Sequence, residues 1–146
     1  MSFWLLKTEP STYSWADLVR DGTTAWTGVS NAQAQRNLQA MQRGDRAVIY
    51  HSGEKRAVGL AEVVRTAYPD PEGDGDLVCV DVRAVDPLPA AVPLEQLKLE
   101  PAFQGSVLLR QGRLSVIPLA PAEWHDLLEV AQIIARTGGI GTAPQF

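Results

Sequence analysis

The chain opens on an apolar run, Phe3 to Leu6, that ends in Lys7, Thr8, Glu9 and Pro10. A first strand is predicted over residues 3–8, because proline forbids its continuation. Ser14 followed by Asp17 is a capping-box pattern, hydroxyl and carboxylate satisfying free amides, and predicts a short helix to residue 20 closed by Gly22. Residues 26–29 read as loop, Ser30 or Asn31 as an N-cap, and residues 32–42 as a helix stopped at Gly44. Leu38 and Met41 share one side of that helix, while Gln33, Arg36 and Asn37 cluster on another.

Beyond Asp45 the pattern turns to strands, and residues 46–51, 56–65 and 77–85 read as an antiparallel meander. Residues 52–55 form its first hairpin connection and 69–75 an acidic loop. Residues 87–93 are a proline-rich extended crossing, with Pro93 leading into one or two helical turns over 94–98. The apolar runs 107–109 and 114–119 predict two more strands, and Pro121 starts a final amphipathic helix carrying Trp124, Leu127, Leu128 and Ile133. Residues 137–146 read as a flexible tail. With no internal repeat and no dividing linker, residues 1–136 are expected to form one α+β domain, a small mixed sheet curled into a barrel and flanked by short helices.

Composition narrows the function classes. The apolar fraction of 45% with 21% charged residues is that of an ordinary globular protein. A lone cysteine, Cys79, sits among aliphatic neighbours on a predicted strand, where it reads as a small core hydrophobe. It cannot form a disulfide within the chain, and the start lacks a signal-peptide pattern, so a cytoplasmic location is expected. The net charge of -4 argues against a general grip on duplex backbone, although residues 1–67 carry +2 and residues 68–146 carry -6.

Catalytic signatures are missing: no nucleophile elbow, phosphate loop or zinc-protease helix is present, and His51 and His125 lie far apart. The alternating Asp70, Glu72, Asp74 and Asp76 lack the final bidentate glutamate of a calcium loop and read as a solvated turn. Gly138 to Gly141 has neither the preceding strand nor the following helix of a dinucleotide site. No metal or cofactor is expected.

One stretch carries chemistry instead. Trp26-Thr-Gly-Val-Ser-Asn31 runs into an amide-rich helix, joining a large flat apolar face to groups that donate and accept in fixed planes. That combination suits gripping a planar heterocycle and reading its edge. Trp26 as a core residue and Asn31 as a plain helix cap are the bland alternatives, and both stay open at this point. His51 as a structural residue and Lys7 as an edge lysine reaching solvent stay open too.

Several segments together resemble the EVE domain, a member of the PUA-like superfamily. They are Trp4-Leu-Leu-Lys-Thr-Glu-Pro10 with Tyr13-Ser-Trp15; Trp26 to Asn31 with Gln33 and Arg36-Asn37; Gly44-Asp45 with Tyr50-His-Ser52; Gly59-Leu-Ala-Glu-Val-Val64 with Ala67-Tyr-Pro-Asp70; and Leu109 to Val116 with Glu123-Trp124. The resemblance implies a PUA-like barrel related to YTH domains, and a non-catalytic reader of a modified base, modified cytosine in DNA before RNA. By that resemblance Trp26 walls a base pocket and Asn31 hydrogen-bonds the base. Lys7, Thr8, Tyr50, His51 and Ser52 line its mouth, with Val29, Leu114 and Ser115 in the same pocket, and Arg36, Arg110 and Arg113 meet the nucleic-acid backbone. Ser30 stands where the family usually has arginine, and Gly112 where it usually has serine. A nucleotide-acting enzyme using Lys7, Glu9 or His51, and a module binding a peptide or metabolite, are the readings from other classes.

Overall fold

The computed structural model describes residues 1–138, so all but the first two positions of the expected flexible tail lie outside the described residues. The strands are β1 (Phe3–Thr8), β2 (Thr23–Ala25), β3 (Arg46–His51), β4 (Arg56–Pro69), β5 (Val78–Pro93) and β6 (Val116–Leu119). The helices are α1 (Trp15–Asp21), α2 (Ala32–Ala40), α3 (Leu94–Leu97), α4 (Val107–Arg110) and α5 (Pro121–Thr137), with a 3-10 turn at Pro101–Phe103. Among the described residues no helix is long and apolar enough to cross a membrane.

The six strands form one mixed sheet in the order β2-β5-β4-β3-β1-β6. β1 runs parallel to β3, and every other pairing is antiparallel, so β3, β4 and β5 form the expected meander. The β4–β5 ladder shifts register between Ala57 and Gly59, Leu60 and Ala61, Val63 and Arg65, and Arg65 and Tyr68. Such bulges increase local twist and bend a strand pair. α2 packs on both β6, one edge of the sheet, and β5, next to the other edge. Contact with both ends requires a sheet rolled around that helix.

Local chemistry explains the elements that differ from expectation. Residues 107–109 are helical, because the Ser106 hydroxyl accepts the Leu109 N–H at 3.2 Å and starts α4. Three apolar residues are too few for periodicity to tell strand from helix. β6 accordingly starts at Val116, two residues later than its apolar run. α2 ends at Ala40, because the Asp45 carboxylate takes the Gln42 N–H at 2.9 Å and bends the chain into β3. β5 runs on through the proline-rich crossing to Pro93, its missing N–H groups accommodated by the shifting register. β2 is a three-residue edge strand too short to leave a pattern.

The core joins Leu5, Leu6, Val48, Ile49, Val63, Val80 and Ile117 of the sheet to Leu127 of α5. Trp4 and Trp124 are buried, and Phe3 stacks on Trp124 at 4.6 Å. Trp15 lies directly on Gly59, where an added Cβ would fall 2.4 Å from the indole. Asp45 collects the N–H groups of Ser2, the Trp4 indole and Gln42. Burial alone would raise its carboxyl, but these bonds hold it below the ordinary aspartate value. Cys79 is fully buried, and burial pushes its thiol up.

Candidate functional site

A cavity of about 750 Å³ opens where the end of β1, the β2–α2 loop, the acidic β4–β5 loop and the start of β6 converge. Its lining consists of Lys7, Thr8, Glu9, Thr12 and Tyr13; Thr24 to Val29; Pro71 and Glu72; and Ser115. Trp26 is 7% exposed, its backbone N–H donates to the Val80 carbonyl at 2.7 Å, and it contributes to this wall. Tyr13 stands edge-on to it, ring centroids 6.3 Å apart and planes at 87°. Trp26 thus belongs to the buried core as well as to the cavity wall, and the edge-on ring of Tyr13 fixes its indole in place.

The loop carrying Trp26 is held on both sides. Gly28 adopts φ 80°, a left-handed conformation that glycine enters without a Cβ penalty. Its N–H donates to Asp70 Oδ2 at 3.0 Å, and the Thr27 hydroxyl donates to Glu72 Oε2 at 2.7 Å, so the acidic loop is bound to the tryptophan loop. From α2, Gln35 reaches behind: its Nε2 donates to the Val29 carbonyl at 2.6 Å and the Val78 carbonyl at 2.9 Å. Its Oε1 accepts the Val78 N–H at 2.8 Å. The buried amide thereby pairs with Val78 as a neighbouring strand would.

Of the residues singled out from sequence, Lys7, Thr8, Trp26, Val29 and Ser115 meet at the cavity. The Lys7 ammonium donates to the Gly112 carbonyl at 2.8 Å and lies 5.7 Å from the Tyr50 ring centroid, and burial lowers its pKa. The Thr8 hydroxyl donates to the Tyr13 carbonyl at 2.6 Å.

The others sit outside that lining. Asn31 is exposed and caps α2, its Oδ1 accepting the Ala34 N–H at 2.9 Å. Tyr50 is buried beneath Lys7, and desolvation pushes its phenol up. His51 Nε2 accepts the Trp15 N–H at 3.0 Å, which places the proton on Nδ1 for donation to Glu54 Oε1 at 2.8 Å. That ring braces α1 against the β3–β4 hairpin. Ser52 faces Glu9, its Oγ 3.5 Å from Oε2, and Leu114 is buried. Arg36, Arg110 and Arg113 are exposed, with Arg110 Nε donating to the Gly105 carbonyl at 2.9 Å.

Glu9, Thr12, Tyr13, Thr24, Ala25, Thr27, Gly28, Pro71 and Glu72 also line the cavity without having been singled out as pocket residues. Tyr13 adjoins the capping-box serine and carried a signal only as part of a family segment. Glu72 belonged to what reads as a solvated turn, and its approach to Thr27 spans 45 residues, which no local pattern announces.

Known proteins share this fold. The family model for the EVE domain matches residues 2–130. Mouse thymocyte nuclear protein 1 is 31% identical over an alignment covering 90% of this chain and 74% of that protein. The NMR structure of Rpa0253 from Rhodopseudomonas palustris superposes with a TM-score of 0.86 at 43% identity, covering 92% of this chain and 95% of that one. The crystal structure of human THYN1 protein in complex with 5-methylcytosine-containing DNA superposes with a TM-score of 0.81 at 32% identity, covering 90% and 98%. With its PUA-like curled sheet and a family match over most of its length, the chain belongs to the EVE domain family.

Proposed function

We propose that this protein binds nucleic acid and takes one modified base, turned out of its stack, into the cavity beside Trp26. The observation that carries the reading is the cavity itself: an indole fixed by Tyr13, on a loop clamped by Asp70 and Gln35, in a space of about 750 Å³. A flat ring can stack there while polar groups meet its edge, the arrangement by which flipped bases are read. Modified cytosine in DNA is the favoured ligand, because human THYN1, 32% identical, is the relative in complex with such DNA.

Binding without chemistry fits the lining. Of the three candidate acid–base residues, His51 is engaged between Trp15 and Glu54 and Lys7 on the Gly112 carbonyl, while Glu9 meets only the Ser52 hydroxyl at 3.5 Å. The Thr8 hydroxyl donates to a carbonyl, which is no base, and among the described residues no third group orients the Glu72 carboxylate that accepts from Thr27. Arg36, Arg110 and Arg113 are the groups proposed to meet phosphates.

The test is a titration of oligonucleotides with cytosine or 5-methylcytosine against the protein and Trp26→Ala. Stacking is worth about 1–3 kcal/mol per base, which sets the expected loss for the variant. The methyl group adds about 0.8 kcal/mol when buried. Equal binding by both proteins to both oligonucleotides overturns the reading.

A further inference from the structure

We propose that Glu9 and Glu72 make the cavity select a base bearing an exocyclic amine, as cytosine and adenine do, over one presenting a carbonyl there, as thymine and uracil do. The inference rests on the base-binding reading and adds the groups that would set specificity.

The strongest acceptors of the wall are its carboxylates. Several of its donors are committed within the protein: Thr8 to the Tyr13 carbonyl at 2.6 Å, the Tyr13 phenol to Asp21 Oδ2 at 2.8 Å, and Thr27 to Glu72 Oε2 at 2.7 Å, whereas among the described residues the Thr12 and Ser115 hydroxyls and the Trp26 indole N–H stay available to a ligand. The backbone is committed too, with the Gly28 N–H on Asp70 and the Trp26 N–H on Val80. Two carboxylates remain as charged acceptors. Among the described residues no protein donor reaches Glu72 Oε1 or Glu9 Oε1, and both glutamates are exposed at the cavity.

Two carboxylates against the single Lys7 ammonium also leave the cavity net negative, which keeps a phosphate out and lets only the neutral ring enter. An amine N–H meets a carboxylate as a charge-assisted donor. A carbonyl in the same place faces a carboxylate with no proton between them, and a site built to hydrogen-bond one group rejects the analogue that lacks it. Lys7 keeps further N–H groups for a ring acceptor, having one committed to Gly112.

Two single-stranded oligonucleotides, identical except for one 5-methylcytosine or one thymine, carry the same methyl group and differ at the amine. The wild-type protein is expected to prefer the 5-methylcytosine strand about tenfold, as one hydrogen bond to a charged group implies. The double variant Glu9→Gln, Glu72→Gln is expected to bring the two strands within about twofold, since a carboxamide can turn either its oxygen or its NH₂ toward the base. Each single variant is measured as well, and Glu72→Gln retains an oxygen for Thr27, so the comparison survives if the double variant folds poorly. A wild-type protein indifferent to the two strands, or a preference unchanged in every variant, overturns the inference while a loss of binding in Trp26→Ala leaves the base-binding reading standing. If Trp26→Ala binds both strands as the wild type does, the base-binding reading fails and this inference fails with it.

Discussion

Gln35 is the residue on which the tryptophan loop leans. Its side chain is 6% exposed and satisfies three backbone groups, the Val29 carbonyl and both polar groups of Val78. Truncation would leave those groups without partners in a place water reaches poorly, and an unmet buried group costs about 1–3 kcal/mol. Gln35→Ala is therefore expected to lower the unfolding free energy by about that amount, read from the denaturant midpoint at unchanged m-value. Oligonucleotide affinity should fall as well, because the loop presenting Trp26 loses its rear support. Unaltered affinity in a destabilised variant would show that the loop is held by Asp70 and Thr27 alone. From sequence, the amides that drew notice on α2 were Gln33 and Asn37. An outward-facing amide and a buried one look alike in a helix whose apolar stripe is narrow, and only the approach of β5 distinguishes them.

At the scale of elements, the longer ones are legible within their own segments. α1 carries its own N-cap in Ser14 and Asp17, α5 its Pro121 and its Glu123 carboxylate on the Ala120 N–H at 2.7 Å, and the meander its alternation. β2 owes its form to pairing with β5, and α4, though its Ser106 cap is as local as that of α1, spans too few apolar residues for periodicity to separate helix from strand. The pocket divides the same way: Trp26 and Val29 sit beside each other in sequence, whereas Tyr13 and Glu72 arrive from segments that only the folded chain brings near.

The seat of α5 on the segment that follows α3 carries a pH dependence. Desolvation, a hydrogen bond with Glu100 and the charges of Glu100 and Glu129 raise Asp126 to about 6, and its Oδ2 is buried without a partner. Glu123 on the same helix buries an unpartnered Oε2, and Gln96 holds Glu100 at 2.9 Å. A carboxyl whose folded value is raised contributes stability that is complete below its unfolded value of 3.8 and lost as pH rises through about 6. Asp45 has the opposite sign: its stabilisation is present above 3.8 and disappears as pH falls through its depressed folded value. The unfolding free energy should therefore decline between about pH 4 and 6, and Asp126→Asn should flatten that decline while leaving the acid limb in place. A decline of the same depth in the variant would assign it to other groups.

For the molecule as a whole, charge limits how affinity can arise. At a net -4, with -6 concentrated after residue 67, long-range attraction to a polyanion is weak, and the cavity with its two carboxylates opposes phosphate locally. If Arg36, Arg110 and Arg113 supply the phosphate contacts, few counterions are displaced on binding. For a single strand the logarithm of the binding constant falls with that of salt concentration by about 0.7 per contact, so three contacts predict a slope near -2. Each Arg→Ala substitution should reduce the slope by about 0.7 with little effect on the choice of base. Trp26→Ala should lower affinity equally at every salt concentration and leave the slope unchanged, because stacking displaces no counterions. Binding isotherms of these four variants and of the triple arginine variant across a salt series separate the two contributions. A steep slope that survives removal of all three arginines would place the phosphate contacts elsewhere on the surface, and a slope altered by Trp26→Ala would mean that the indole guides the backbone as well as the base.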